Sequence, residues 1–210
     1  MADRTYVYID GESHYIRSQE AWRAIHGTDA CLEHLRYTNP PDEQLILVIP
    51  KAKVFWTRKF NPGVDRAVYF TGVACDESAL HHIKVKLRNF DLEPHVVPER
   101  KDRAAQRENV RNTQRYIEKP KGVDIALAVR MLHDAYYNAF QACHLYTSDV
   151  DFLPAIREVR AVGKRVFVHG YKNGLSRESE LLHVPDQFTD LEETLRADCR
   201  MLPSAEAPLR

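Results

Sequence analysis

The stretch CHLYTSDVDFLPAIREVRAVGKRVFVHG, Cys143 to Gly170, decides the fold. His144 to Thr147 has the length and apolarity of a buried strand, Phe152 to Val162 reads as an amphipathic helix, and Lys164 to His169 reads as the next strand. Strand, helix and strand in immediate succession form a βαβ unit. In open parallel sheets the ligand site lies beyond the carboxyl ends of the strands. Ser148, Asp149 and Asp151 stand at that edge.

Outward from this unit the same alternation continues. Thr5 to Ile9 is a β-branched and aromatic run that ends at Asp10-Gly11, a turn signal, so Asp10 also lies at a strand's carboxyl end. Ala67 to Phe70 and Pro94 to Val97 are further strand segments, with a helix predicted over Glu77 to Asn89 between them. Lys121 to Phe140 reads as helical, with apolar positions at Val123, Leu127, Met131 and Ala135. Together these predict an α/β chain built on a doubly wound, mostly parallel sheet. Cys31 to Pro62, which holds LILVIP and then KAKVFWTRKFNP, fits less well and reads as an extra strand, a hairpin insert or a flap. After Gly170, the string GLSRESELLHVPDQFTDLEETL reads as a loop, a short helix and a final helix. The expected organisation is one domain over residues 1–192, with an insert at 31–62, and a helix end and tail over 193–210.

Composition bounds the function. The chain has 210 residues, 44% hydrophobic and 29% charged, which fits one well-cored domain and excludes fibrous and disordered classes. No apolar run approaches the roughly 20 residues of a membrane span. The start MADRTYVYID carries an acid and runs directly into a strand, unlike a signal peptide, so a cytoplasmic setting is expected. Cys31, Cys75, Cys143 and Cys199 are far apart and match no zinc-finger spacing, so reduced thiols are expected. Lys and Arg total 30, as do Asp and Glu, so any affinity for a polyanion must come from a local patch.

Four acids fall where a cleft at the strand ends would gather them: Asp10, Asp124 at a helix start, and Asp149 with Asp151. If the chain stays extended, Asp149 and Asp151 point the same way; Glu12 is a further acid nearby. Carboxylates crowded into one cleft repel one another unless a cation compensates, and Mg²⁺ or Mn²⁺ favours such oxygen ligands. Each acid also has a plain structural reading. Asp151 suits the N-cap of the following helix, Asp124 suits a helix dipole, and Asp-Gly is a common turn. Convergence on one sheet edge is what capping does not explain.

YVYIDGES (Tyr6 to Ser13), KGVDIALAVRML (Lys121 to Leu132) and LYTSDVDFLPAIREVRAVGKRVFVHG (Leu145 to Gly170) resemble the NYN domain of the LabA-like group, within the PIN-like nuclease superfamily. RAVYF (Arg66 to Phe70) and RESELLHVPDQFTDL (Arg177 to Leu191) extend the resemblance. It implies a PIN-like three-layer α/β/α sandwich and a metal-dependent ribonuclease, with Asp10, Asp124, Asp149 and Asp151 as catalytic and metal-binding acids. It implies Mg²⁺ or Mn²⁺ as cofactor and RNA as substrate. Ser148 would offer its hydroxyl or amide to a phosphate or to a ligand carboxylate. The chain departs from the family in two places: Ser13 stands where Asn is common, and Arg130 where an acid is frequent. Arg130 lies six residues after Asp124, about 120° around a helix. It would pair with Asp124 or Asp149, or grip a phosphate.

Substrate attraction requires basic groups, because an acidic cleft repels RNA. Arg100, Arg103, Arg107, Arg111 and Arg115 recur at spacings of three and four, a helical stripe leading through Lys121 toward Asp124. An ordinary solvated helix face has the same pattern. Lys51, Lys53, Phe55, Trp56, Arg58, Lys59 and Phe60 interleave cations with rings, as single-strand binders do, or as a packed hairpin with snorkelling lysines does. His81, His82 and His169 lack paired ligand spacing. The expectation is therefore a ribonuclease with Ser13, Ser148, Arg103, Arg107, Arg111, Lys121 and Arg130 contacting RNA. The competing expectation is a catalytically weakened domain that binds RNA or protein; a second copy or a protein partner stays open, and no membrane is expected.

Overall fold

The computed structural model describes residues 3–26, 63–74, 77–89, 91–99 and 122–193. Strand β1 (Thr5–Asp10) leads directly into helix α1 (Gly11–His26). Strand β2 (Arg66–Ala74), helix α2 (Glu77–Asn89) and strand β3 (Glu93–Glu99) follow. Helix α3 (Val123–Tyr136), strand β4 (Ala142–Tyr146), a 3-10 turn (Val150–Phe152), helix α4 (Leu153–Ala161) and strand β5 (Arg165–Gly170) come next. A second 3-10 turn (Glu180–Leu182) precedes strand β6 (Gln187–Asp190).

The six strands form one sheet in the order β3-β2-β1-β4-β5-β6, every neighbouring pair parallel. The chain winds from β1 outward to β3, then returns to the other side of β1 and winds outward again to β6. The reversal makes the carboxyl ends of β1 and β4 the topological switch point, where crossovers diverge and leave a crevice.

Alternation along the strands sorts the core into two layers. Val7, Ile9, Ala67, Tyr69 and Tyr146 face α1 and α2, packing on Ala21, Ile83 and Leu87. Tyr8, Val68, Phe70, Leu145, Val166 and Val168 face α3 and α4, packing on Leu127, Met131, Ile156 and Val159. The result is the expected three-layer α/β/α sandwich. Each fully buried Leu or Met in these layers contributes about 1.5–3 kcal/mol. Helix α3 ends because Asn138 takes a left-handed φ of 54°, with Asn138 N–H donating to Ala135 O and Ala139 N–H to Asp134 O. Helix α4 ends in the same way at Gly163, φ 81°, with Lys164 N–H reaching Val159 O.

Two local expectations are corrected. Asp10-Gly11 is not an isolated turn: the helix starts at Gly11 itself, and a side chain there would collide with the Tyr69 ring at 2.3 Å. Gln187 to Asp190, read as part of a loop and final helix, is a strand because its backbone pairs with Phe167 to Gly170 at the sheet edge. Residues 31–62, the basic stretch Arg100 to Lys121 and the tail lie outside the described residues.

Candidate functional site at the ends of β1 and β4

Asp10 is the last residue of β1, 1% exposed, and both of its carboxylate oxygens accept hydrogen bonds. Oδ1 accepts from the Ser13 backbone N–H at 3.1 Å, and Oδ2 accepts from the Thr147 hydroxyl at 3.0 Å. The first contact caps the opening turn of α1, where a carboxylate is favoured by the helix dipole. The second crosses from β1 to the end of β4. Thr147 Oγ1 in turn accepts from the Asp149 backbone N–H at 3.1 Å. One hydroxyl therefore fixes Asp10 and sets the backbone that carries Asp149.

Asp149 keeps an extended backbone, φ −96° and ψ 123°, before the chain tightens into the 3-10 turn. Its Oδ1 accepts from the Asp151 backbone N–H at 3.0 Å, so Asp149, rather than Asp151, is the cap of this turn. The expectation that Asp149 and Asp151 point the same way fails for this reason: the chain does not stay extended, and Asp151 is exposed in the turn.

Two serines seal the floor. Ser148 N–H donates to Ser13 Oγ at 3.2 Å, and Ser148 Oγ accepts from Tyr171 N–H at 2.8 Å. Both serines are 7% exposed. Their hydroxyls and the Ser148 amide tie α1, β4 and the end of β5 together, which corrects the expectation that they reach a phosphate. Gly170 is required beside them, since a Cβ there would come within 2.3 Å of Thr147 O.

Asp124 stands half-buried in the first turn of α3, whose amino terminus opens at the same sheet edge. Glu12 stands in the first turn of α1, and burial, together with Asp10 and Glu12, pushes the Tyr69 phenol upward while its hydroxyl donates to Gly11 O at 3.3 Å.

Arg130 is not in the cleft. Its Nε donates to Asp134 Oδ2 at 2.8 Å and its Nη1 lies 3.6 Å from Glu93 Oε1. Asp134, nearly buried, also accepts from Tyr8 OH at 2.9 Å. Glu93 begins β3 and is paired with Arg66, the first residue of β2, so this network lies toward the amino ends of those strands. The expected pairing of Arg130 with Asp124 or Asp149 is replaced by a link between α3 and the sheet. Arg103, Arg107, Arg111 and Lys121 lie outside the described residues.

The histidines form a separate group on the α1 side. His144 Nδ1 and His169 Nε2 are 2.7 Å apart, and His169 stacks on Tyr146 with centroids 4.6 Å apart. Burial and the neighbouring His144 lower the His169 pKa to about 3, and burial alone lowers His14 and His144 to about 4. Cys143 is buried as a free thiol, its pKa raised by burial.

Among the described residues, no group of three or more His, Cys, Asp or Glu side chains is arranged to hold a metal ion. The four acids expected to ligate together share one edge of the sheet without forming such a cage. The donor chemistry nevertheless suits a hard cation: Asp10, Thr147 and Asp149 present oxygens, and Mg²⁺ is commonly held by only one or two carboxylates while keeping several waters. Thr147 is the functional residue that charge-based reading passed over; its position between the strand end and Asp149 was the available signal.

A family model described as NYN domain matches residues 4–192. Among solved structures, a protein of unknown function from Vibrio parahaemolyticus RIMD 2210633 is similar, at a TM-score of 0.57 and 18% identity, over 91% of this chain and 94% of that one. That likeness shows a shared fold. No curated protein matches. Among the described residues, no helix is long and apolar enough to cross a membrane.

Proposed function

Because this chain belongs to the NYN domain family, nuclease-like as a family, we propose that it is a Mg²⁺- or Mn²⁺-dependent ribonuclease acting at the β1/β4 crevice. The observation that carries the reading is the Thr147 hydroxyl, which holds Asp10 and the Asp149 backbone at the switch point. Nothing in capping or core packing requires a buried carboxylate of one strand to be oriented by the hydroxyl of another.

Asp10 and Asp149 are assigned as the residues that hold the cation, with Asp124 facing the same opening and Asp151 at its exposed rim. A bound divalent ion would supply an activated water and neutralise charge on the phosphodiester during in-line displacement. Asp10 is suited to ligation because the Ser13 amide and the Thr147 hydroxyl stabilise its ionised form and fix its orientation. The Asp149 carboxylate is restrained through the Asp151 amide, which limits its rotamers before substrate arrives. Ser13 and Ser148 keep α1 and β4 in register and so act on position.

A second reading is a catalytically weakened domain that binds RNA or a protein. It is favoured by one observation: the described residues bring no third ligand to Asp10 and Asp149. The two are separated by RNA cleavage with Mn²⁺ or Mg²⁺, with EDTA, and with Asp149→Asn. The nuclease reading expects loss of cleavage in the last two. Cleavage that survives both contradicts it, and binding without cleavage by the unaltered chain selects the second reading.

A further inference from the structure

Helix α3 buries Leu127 and Met131 against the sheet, and on its opposite side it exposes an apolar stripe. Ile125, Val129, Leu132 and Tyr136 fall at spacings of four, three and four, within about 60° of one another around the helix. Ile125 is 69% exposed, Val129 and Tyr136 are each 59% exposed, and Tyr137 at the helix end is 76% exposed. A surface helix with apolar residues on both sides is one whose second side has a use.

We propose that this face is the two-fold interface of a homodimer. Charge selects the occupant. The arc from Ala128 through Ile125, Val129, Leu132, Tyr136 and His133 to Tyr137 carries no Asp, Glu, Lys or Arg, so it offers nothing to a charged partner such as RNA. A surface without charge is complementary to itself, and the whole chain has a formal net charge of zero, so two copies meet no long-range repulsion. The basic stretch Arg100 to Lys121 gives it no matching segment within the chain.

The spacing also fixes the pairing. With the two helices antiparallel about an axis between Val129 and Leu132, Ile125 of one copy meets Tyr136 of the other, and Val129 meets Leu132. This isologous arrangement sets the helix dipoles in opposition and lets the small Ala128 admit the partner's His133, whose ring stacks on Tyr137 at 4.4 Å. Asp124 then comes opposite the partner's Tyr137, a phenol able to donate to a carboxylate at the mouth of the crevice. The polar pair Tyr136–Glu158 and the ion pair Arg157–Glu180 lie beside or near the stripe, on α4 and the turn after β5, and supply a polar rim.

The area sets the strength. The stripe presents on the order of 500 Å² of apolar surface, below the roughly 800 Å² per partner of a standard interface, so dissociation in the range of about 10–100 μM is expected.

Sedimentation equilibrium of the full chain between about 1 μM and 1 mM tests this. The expected result is a monomer–dimer equilibrium that Val129→Arg and, separately, Ile125→Arg shift at least about tenfold toward monomer, while Val129→Leu preserves it. Both arginine variants should keep the unaltered thermal midpoint, since these side chains are exposed. A chain that stays monomeric to 1 mM, or a dimer indifferent to both arginines, overturns the proposal. So does loss of RNA binding by Val129→Arg in a monomeric chain, which would give the face to RNA. None of these outcomes bears on whether the crevice cleaves RNA.

Discussion

Thr147 donates its hydroxyl hydrogen to Asp10 Oδ2 at 3.0 Å while the same oxygen accepts the Asp149 amide at 3.1 Å. Thr147→Val keeps the shape and removes both bonds. It leaves a buried carboxylate oxygen and a backbone N–H short of a partner, at a cost of about 1–3 kcal/mol in stability. If Asp10 and Asp149 work as a pair, cleavage falls about 10–100-fold, as for a lost ligand-orienting contact. Thr147→Ser should recover most of it. Chemical denaturation and cleavage rates on the same preparations check both numbers, and an unchanged rate in Thr147→Val removes the hydroxyl from the account.

Asp149 and Asp151 are not equivalent. Asp149 caps the 3-10 turn and follows the Thr147 contact, whereas Asp151 contributes its amide to Asp149 and is exposed. Asp149→Asn is expected to lower cleavage by about 10³-fold or more, and Asp151→Asn by no more than about tenfold. Equal losses would mean that the turn rearranges to bring both carboxylates inward when substrate binds.

Arg130 contributes to stability. Its guanidinium is the cationic partner of the nearly buried Asp134, with Glu93 completing the group. Arg130→Met leaves that carboxylate with the Tyr8 hydroxyl and no cation, at about 1–3 kcal/mol given the partial exposure of Arg130. Arg130→Asp adds like charge and costs more, without raising activity. Cleavage per folded molecule should change by less than about threefold in Arg130→Met, as expected for a site remote from the crevice.

Acid should unfold this chain through its histidines. Burial holds His14 at about 4, and burial with His144 holds His169 at about 3, both below the ordinary value near 6.5. Between those limits the unfolded chain binds protons that the folded chain refuses, so stability is fully present above about pH 6.5. It falls with pH at about 1.4 kcal/mol per unit for each group. Denaturant midpoints measured from pH 7.5 to pH 5 should decline, and His169→Gln should flatten the slope. A midpoint independent of pH over that range would contradict the burial.

The strands and most helices were legible because their signals are local. Thr5 to Asp10 and Arg165 to Gly170 are β-branched and aromatic runs, and α3 repeats its apolar positions with helical period. Helix α1 was not, because its buried positions include the polar Ser13, His14, Ser18 and Gln19, which blur an apolar stripe. Strand β6 is four residues long and exists through pairing with β5, which composition does not encode. In the crevice, Asp10 and Asp149 were visible as charges at strand ends, whereas the hydroxyl joining them was not. Arg130 could not be oriented from its position on a helical wheel, since its direction depends on Glu93 in a strand that precedes it by a long crossover.

The most direct measurement is cleavage of an end-labelled RNA by the purified chain, with Mn²⁺ and with EDTA, set beside Asp10→Asn under the same conditions. The expected result is cleavage by the unaltered chain in Mn²⁺ alone, its disappearance in EDTA, and a loss of about 10³-fold or more in Asp10→Asn with the fold intact by circular dichroism. Cleavage by Asp10→Asn at the unaltered rate, or none by the unaltered chain in Mn²⁺ or Mg²⁺, would contradict the assignment of the β1/β4 crevice as a ribonuclease site.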